Sequence, residues 1–366
     1  MGYPIPVRAV FLFCALLLLS PAQSQAIGLK TDEVTVSVFV SSGSPYVTTR
    51  TFAVNYRLAR YIERAKKVPA SVHPHWTRAS ITVKRRAYVF DHDSRLFTAD
   101  RKSMLLLSRQ ALTALDNMVR QTEKLHFGAM TPWDEVKTHL GLKDYATVVD
   151  LETGKKFRVQ RRAGSRHADV QPVSKKDTLI MKEIYQGKWS WKRRAIRVEV
   201  DGRTFAASMN GMPHGAGAIR GNDFPGHFCI HFSGSATHLR KKQDPRHQLM
   251  IRKAAGLLPQ TLSRARPEEI LGYFFSSLND HDAHTLAMMT SEGLLPEEVR
   301  LVESLKHQEP VLLPKSQGEL LIEAPVKVSY TTRQGRKKQA TWRFWLQRFA
   351  PWERWLIAHI ETEETQ

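Results

Sequence analysis

The segment from Ala9 to Leu19 sets the first limit on what this chain can become. It is an unbroken apolar run behind a single Arg8, and Ser24-Gln25-Ala26 then supplies small residues where signal peptides are cut. The pattern predicts a signal peptide over residues 1–26, a mature chain starting at Ile27, and a secreted, extracytoplasmic destination. The run is too short to span a bilayer, and no later stretch of about 18 or more apolar residues follows it, so a membrane-spanning reading is rejected.

Export makes cysteine usage informative. The chain has 2 cysteines, and Cys14 falls inside the predicted signal, which leaves Cys229 as the one thiol of the mature chain. No internal disulfide is then available, so stability must come from hydrophobic cores. A chain of 366 residues with 42% hydrophobic content can build them, and its length suits two or three domains. Cys229 is either an inert core side chain or a reactive group.

Charge narrows the partners. With 55 Lys and Arg against 35 Asp and Glu, the formal charge is +20. Such a field favours polyanions, which outside the cytoplasm means peptidoglycan, other anionic wall polymers or lipid headgroups. No module of interleaved aromatic and basic residues for nucleic acid is present, so nucleic-acid binding is not expected. A solubilising surface charge without a specific partner is the plainer alternative. Residues 145–256 hold 22 Lys and Arg against 9 Asp and Glu, so the excess is concentrated there.

The chain divides by its patterning. Residues 27–144 form an N-terminal α+β region of no evident chemistry. Val34, Val36, Val38 and Val40 alternate as in a half-buried strand, strands follow at Ile81–Val83 and Ala87–Phe90, and Ser108 caps a helix with Ala111, Leu115, Met118 and Val119 on one face and Gly128 past its end. His73, His75 and Trp76 cluster, and the two histidines, beside a proline, read as solvent-exposed rather than metal-binding.

Residues 145–262 open with a hairpin, Thr147–Leu151 and Lys156–Val159 around Glu152-Thr153-Gly154. Ser174 and Asp177 form a capping box for a helix carrying Leu179, Ile180 and Ile184, and strands return at Ala195–Val198 and Thr204–Ala207. At Pro267-Glu268-Glu269 a new helix begins, with Ile270, Leu271, Phe274, Phe275 and Leu278 on its apolar face. Residues 266–366 continue through an Asp282-containing turn to strands at Val326–Tyr330, Ala340–Leu346 and Trp355–Ile360. This order resembles the cone-shaped NTF2-like fold, which implies a structural or ligand-sheltering role.

Candidate chemistry lies between residues 208 and 238, where the single thiol sits among histidines. A thiolate is the attacking species, and a neighbouring imidazole can take the thiol proton or stabilise the anion. His214-Gly215, a glycine-rich loop and His227-Phe228-Cys229-Ile230 together resemble the active-site signature of YkuD-type L,D-transpeptidases, exported enzymes that form an acyl-enzyme on cysteine. The resemblance implies that His214 is the base, His227 the supporting histidine and Cys229 the nucleophile, with backbone N–H groups at Phe228 and Cys229 as oxyanion donors. It implies cysteine-dependent acyl transfer on peptidoglycan stem peptides without a cofactor. Gly226, Phe228 and His231 stand where the family has Ser or Thr, Gly and commonly Arg. The Phe228 ring either closes the oxyanion hole or faces the core.

A second chemistry uses the same neighbourhood. His167, Asp169, His227 and His231 are of the types that bind zinc, with His238 and His247 downstream, which would make a zinc-dependent wall peptidase. His227 and His231 lie four apart in a strand-like run, so they share a face at a wide separation. His167 and Asp169 are alternatively the third group that orients a catalytic histidine. A third reading is a non-catalytic basic peptidoglycan-binding protein. Lys188–Arg194 holds the clearest aromatic and basic cluster, and Trp189, Trp191, Arg193 and Arg194, with His231, are candidates for holding a glycan-peptide substrate. Two tryptophans packing a core edge beside a solvated charge run is the alternative. The expected fold is α+β and multidomain, with a mainly β central L,D-transpeptidase-like domain and an NTF2-like cone domain at the C-terminus.

Overall fold

A computed structural model describes residues 31–70, 76–237, 242–291, 295–308, 311, 313 and 319–364. The proposed signal, Cys14, His73, His75 and His238 lie outside the described residues. The architecture is mixed α+β with mostly β content, and its antiparallel strands form an open seven-stranded sheet, a closed barrel and a four-stranded sheet.

Period-two patterning builds the first sheet. In β1 (Thr31–Phe39) the side chains of Val34, Val36 and Val38 are buried and those between them are not. The other strands are β2 (Val47–Asn55), β3 (Lys67–Pro69), β4 (Thr77–Val83), β5 (Arg86–Asp91), β6 (Leu96–Thr98) and β7 (Ser103–Leu105), in the spatial order β2-β1-β4-β5-β6-β7-β3. Helices α1 (Tyr56–Arg64) and α2 (Arg109–His126) pack on β1 and β2. Ser108 caps α2 by accepting a hydrogen bond from the Ala111 N–H at 3.3 Å. Gly128 does not act as a left-handed stop for α2. A Cβ there would lie 2.3 Å from Ala206 N, so its missing side chain lets the chain pass directly against the barrel.

Helix α3 (Trp133–His139) leads into that barrel. Its strands are β8 (Tyr145–Asp150), β9 (Lys156–Ala163), β10 (Ala168–Pro172), β11 (Arg194–Val200), β12 (Arg203–Met209) and β13 (Phe228–His231), closed in the order β10-β13-β12-β11-β8-β9. β8 and β9 form the expected hairpin, with Val149 opposite Lys156 and Gly154 at φ +69° in the turn. α4 (Lys175–Ile184) begins at Ser174, whose hydroxyl accepts from the Asp177 N–H at 3.2 Å. Its buried face is Thr178, Met181 and Ile184, and Leu179 is exposed. Leu179 follows Thr178 by about 100° of helical rotation, which carries it off that face. α5 (Pro245–Ala254) covers β11 and β12, and α6 (Leu258–Ser263) follows it.

The C-terminal elements are α7 (Pro267–Asp280), α8 (Ala283–Met289), α9 (Glu297–Arg300) and the sheet β14 (Val302–His307), β15 (Leu321–Thr332), β16 (Lys337–Gln347) and β17 (Leu356–Glu364). α7 buries Ile270, Leu271, Phe274, Phe275 and Leu278 against Trp342, Phe344 and Leu346 of β16, as its periodicity predicts. This part grips the barrel through polar contacts. The Arg193 N–H donates to Asp280 Oδ1 at 2.8 Å, and buried Lys253 bridges Glu152 at 2.6 Å and Asp282 at 2.8 Å. No described helix is long and apolar enough to cross a membrane.

Candidate active site

The thiol is placed by strand alternation. In β13, Phe228 and Ile230 join the hydrophobic core with Phe157 and Phe224, which turns Cys229 and His231 to the opposite face. The Phe228 ring is fully buried in that core, so it does not enter the space beside the sulfur. The antiparallel register sets Asp169 of β10 directly opposite Cys229, with the core residues Ala168 and Val170 opposite Ile230 and Phe228. Asp169 Oδ1 lies 3.6 Å from Cys229 Sγ.

His214 and His227 come to the same place through the loop that joins β12 to β13. Their backbones exchange two hydrogen bonds, His214 N–H to His227 O and His227 N–H to His214 O, each 2.9 Å. Two glycines permit this close bridge. A Cβ on Gly215, at φ +61°, would lie 2.4 Å from the His227 ring, and one on Gly226, at φ +105°, would lie 2.5 Å from His214 O. Buried Gln171 holds the loop from below, accepting from the Ala218 and Ile219 N–H groups at 2.7 and 3.0 Å and donating to Gly226 O at 2.7 Å. Nothing in the sequence pattern singles out Gln171, because its role depends on the barrel bringing β10 beneath the loop.

The imidazoles are oriented by backbone carbonyls. His214 Nδ1 lies 2.8 Å from Met212 O, His227 Nδ1 3.0 Å from Ala216 O, and His167 Nδ1 2.8 Å from Ala236 O. A carbonyl oxygen only accepts, so Nδ1 carries the proton in each ring and Nε2 faces the centre. His214 Nε2 is 3.2 Å from Cys229 Sγ. Asp169 Oδ1 is 3.0 Å from His167 Nε2 and 3.9 Å from His227 Nε2. Behind the thiol, His231 stacks between His167 and His247, at ring-centroid distances of 4.4 and 3.9 Å. His247 Nδ1 in turn meets Ser208 Oγ at 2.8 Å.

Burial dominates the electrostatics. It raises the pKa of the Cys229 thiol well above its ordinary value, and the Asp169 carboxylate pushes in the same direction. Burial also lowers His214, depresses His231 to about 3, and takes His247 well below the usual imidazole range. The resting thiol is therefore neutral, its proton directed to the Asp169 carboxylate, with the lone pair of neutral His214 Nε2 3.2 Å from the sulfur. This arrangement suits general-base removal of the proton as the sulfur attacks, rather than a standing thiolate.

The aromatic and basic segment splits into two roles. Trp189 packs edge-on against Phe224, Arg193 pairs with Asp244 at 2.6 Å, and Arg194 pairs with Asp150 at 2.6 Å. These three hold the barrel rim. Trp191 is 51% exposed and its ring lies 5.1 Å from that of His214, so it is the member of the cluster beside the thiol pair. His231, expected at the substrate surface, is buried among the histidines. Residues 215–218 and Trp191 on the His214 side are exposed, while Cys229 itself is buried.

No protein-family model matches the chain, and no curated protein matches it.

Proposed function

We propose that this protein is an exported cysteine acyltransferase of L,D-transpeptidase-like chemistry acting on peptidoglycan stem peptides. The observation that carries the reading is the 3.2 Å approach of His214 Nε2 to Cys229 Sγ, with the opposite ring nitrogen tied to a backbone carbonyl. The fold supports it further, since the thiol sits on the outer face of a small barrel beside an exposed aromatic ring, inside the most basic part of the chain. The C-terminal helices and four-stranded sheet are read as the NTF2-like part that the sequence resembles, in a supporting role at the barrel rim.

In the proposed reaction His214 Nε2 takes the thiol proton while sulfur bonds to the carbonyl carbon of a stem peptide. The amine of the broken peptide bond leaves with a proton returned by His214. An acceptor amine, or water, then attacks the thioester and releases Cys229. Trp191 contributes a flat apolar surface beside the base, suited to a sugar ring or an aliphatic stem.

The test is incubation of metal-free protein with purified peptidoglycan fragments. Cross-linked or hydrolysed stem peptides should appear, a covalent adduct of Cys229 should be visible by mass spectrometry, and Cys229→Ser and His214→Ala should remove both. Product formation by Cys229→Ser at the wild-type rate would refute the reading.

A further inference from the structure

We propose that the His214 side of Cys229 is also a binding site for a thiophilic divalent cation, Zn²⁺ being the best match, held by His214, His227 and Cys229, with Asp169 Oδ1 drawn in as the fourth ligand. Its occupancy masks the thiol. The ligating atoms of His214, His227 and Cys229 all lie within 4.8 Å of one another. Individual separations are 3.2 Å from His214 Nε2 to Sγ, 3.6 Å from Sγ to Asp169 Oδ1, and 3.9 Å from Asp169 Oδ1 to His227 Nε2. A tetrahedral zinc with N, O and S ligands at its usual bond lengths has edges of about 3.3–3.8 Å, so the His214, His227 and Cys229 donors need to close by no more than about an ångström, and the carboxylate turns in from beside the sulfur.

Ring orientation agrees. The His214 and His227 planes meet at 61° with centroids 4.6 Å apart, so two lone pairs can converge on one point. Both rings donate Nδ1–H to a backbone carbonyl, Met212 O and Ala216 O, which is the outer-shell contact that fixes a metal-binding tautomer. His167 and His231 are less suited. Their ligating atoms also lie within 4.8 Å of each other and of Cys229 Sγ, but the rings stack with planes only 13° apart and centroids 4.4 Å apart, so their in-plane lone pairs run nearly side by side instead of converging. Charge favours a cation as well. A thiolate and a carboxylate this close repel, and a divalent ion between them removes the repulsion. On binding, the S–H bond breaks, an S–Zn bond forms and the proton passes to solvent.

Binding does not depend on the acyl-transfer reading; only the resulting inhibition does. The full-length mature chain is titrated with Zn²⁺ alone by calorimetry and with Co²⁺ by absorbance, and iodoacetamide labelling of Cys229 is timed with and without one equivalent of Zn²⁺. The expected results are one ion per chain, a thiolate-to-cobalt band in the near ultraviolet, and labelling slowed at least tenfold and restored by EDTA. His227→Ala and Asp169→Asn should weaken Zn²⁺ binding at least tenfold, while His231→Ala changes it less than threefold. Absence of the cobalt band, labelling indifferent to Zn²⁺, or loss of binding in His231→Ala with retention in His227→Ala would overturn the proposal. Metal-free protein that binds Zn²⁺ as described but never acts on peptidoglycan would overturn the acyl-transfer reading instead.

Discussion

Asp169 faces Cys229 across the β10–β13 ladder, its carboxylate oxygen 3.6 Å from the sulfur that His214 Nε2 approaches at 3.2 Å. The thiol thus has an imidazole nitrogen and a carboxylate oxygen as its two polar neighbours. The carboxylate adds to burial in keeping the thiol protonated.

This arrangement makes Asp169→Asn informative. Removing the charge should lower the pKa of the Cys229 thiol and speed iodoacetamide labelling of metal-free protein at pH 8 by roughly tenfold, the equivalent of about one pKa unit. In the wild type, labelling at neutral pH should be slow and should climb as pH rises above the ordinary thiol range. Labelling kinetics followed by intact mass check both.

Substitution Cys229→Ser should lower acyl transfer by roughly a thousandfold or more, because hydroxyl oxygen beside a neutral imidazole is a far poorer nucleophile in a site built for sulfur. The melting temperature should move little, since the side chain remains small and keeps a hydrogen-bond donor. Activity on peptidoglycan fragments and a thermal melt, made on one sample, separate the two effects.

The buried histidines predict acid sensitivity. His231 has a folded pKa of about 3, well below its unfolded value, so its neutral form stabilises the fold fully above about pH 6.5. As pH falls from there toward 3, the unfolded chain takes up protons that the folded chain does not, and stability is lost. His231→Gln should reduce proton uptake on unfolding by about one near pH 5. Urea unfolding between pH 7 and pH 4 measures this, and an unchanged slope in the variant would contradict it.

Gly226→Ala should damage the site without touching a catalytic side chain. The added Cβ would meet His214 O at 2.5 Å on backbone held at φ +105°. A cost of about 1–3 kcal/mol is expected, together with loss of the reciprocal His214–His227 backbone bonds. A lowered melting temperature with a larger fall in acyl transfer is the outcome to look for.

Phe228→Ala tests whether the ring belongs to the core or to the site. Its full burial against Phe157 and Phe224 predicts a loss of about 3–5 kcal/mol in unfolding free energy. A variant of unchanged stability with altered substrate preference would place the ring in the substrate path.

Much of the fold was legible in short-range pattern. The β1 valines, the β8–β9 hairpin, the caps at Ser108 and Ser174 and the α7 apolar face all follow from periods of 2.0 and 3.6 and from side chains that satisfy orphan backbone groups. Gly128 misled because the barrel strand at Phe205 and Ala206, distant in the chain, sets its surroundings, and Leu179 because packing on the barrel selects the Thr178, Met181 and Ile184 face of its helix.

By itself the sequence determined that one thiol and two flanking histidines would share a loop-and-strand segment, since that is a matter of composition and local spacing. Which histidine meets the sulfur, that Asp169 stands beside it, that Gln171 holds the loop, and that Arg193 and Arg194 serve carboxylates rather than a ligand were decided only by the tertiary structure. Strand register and barrel closure bring together residues far apart in the chain, such as Asp169 and Cys229, 60 positions from each other, and no local pattern encodes a pairing across that distance.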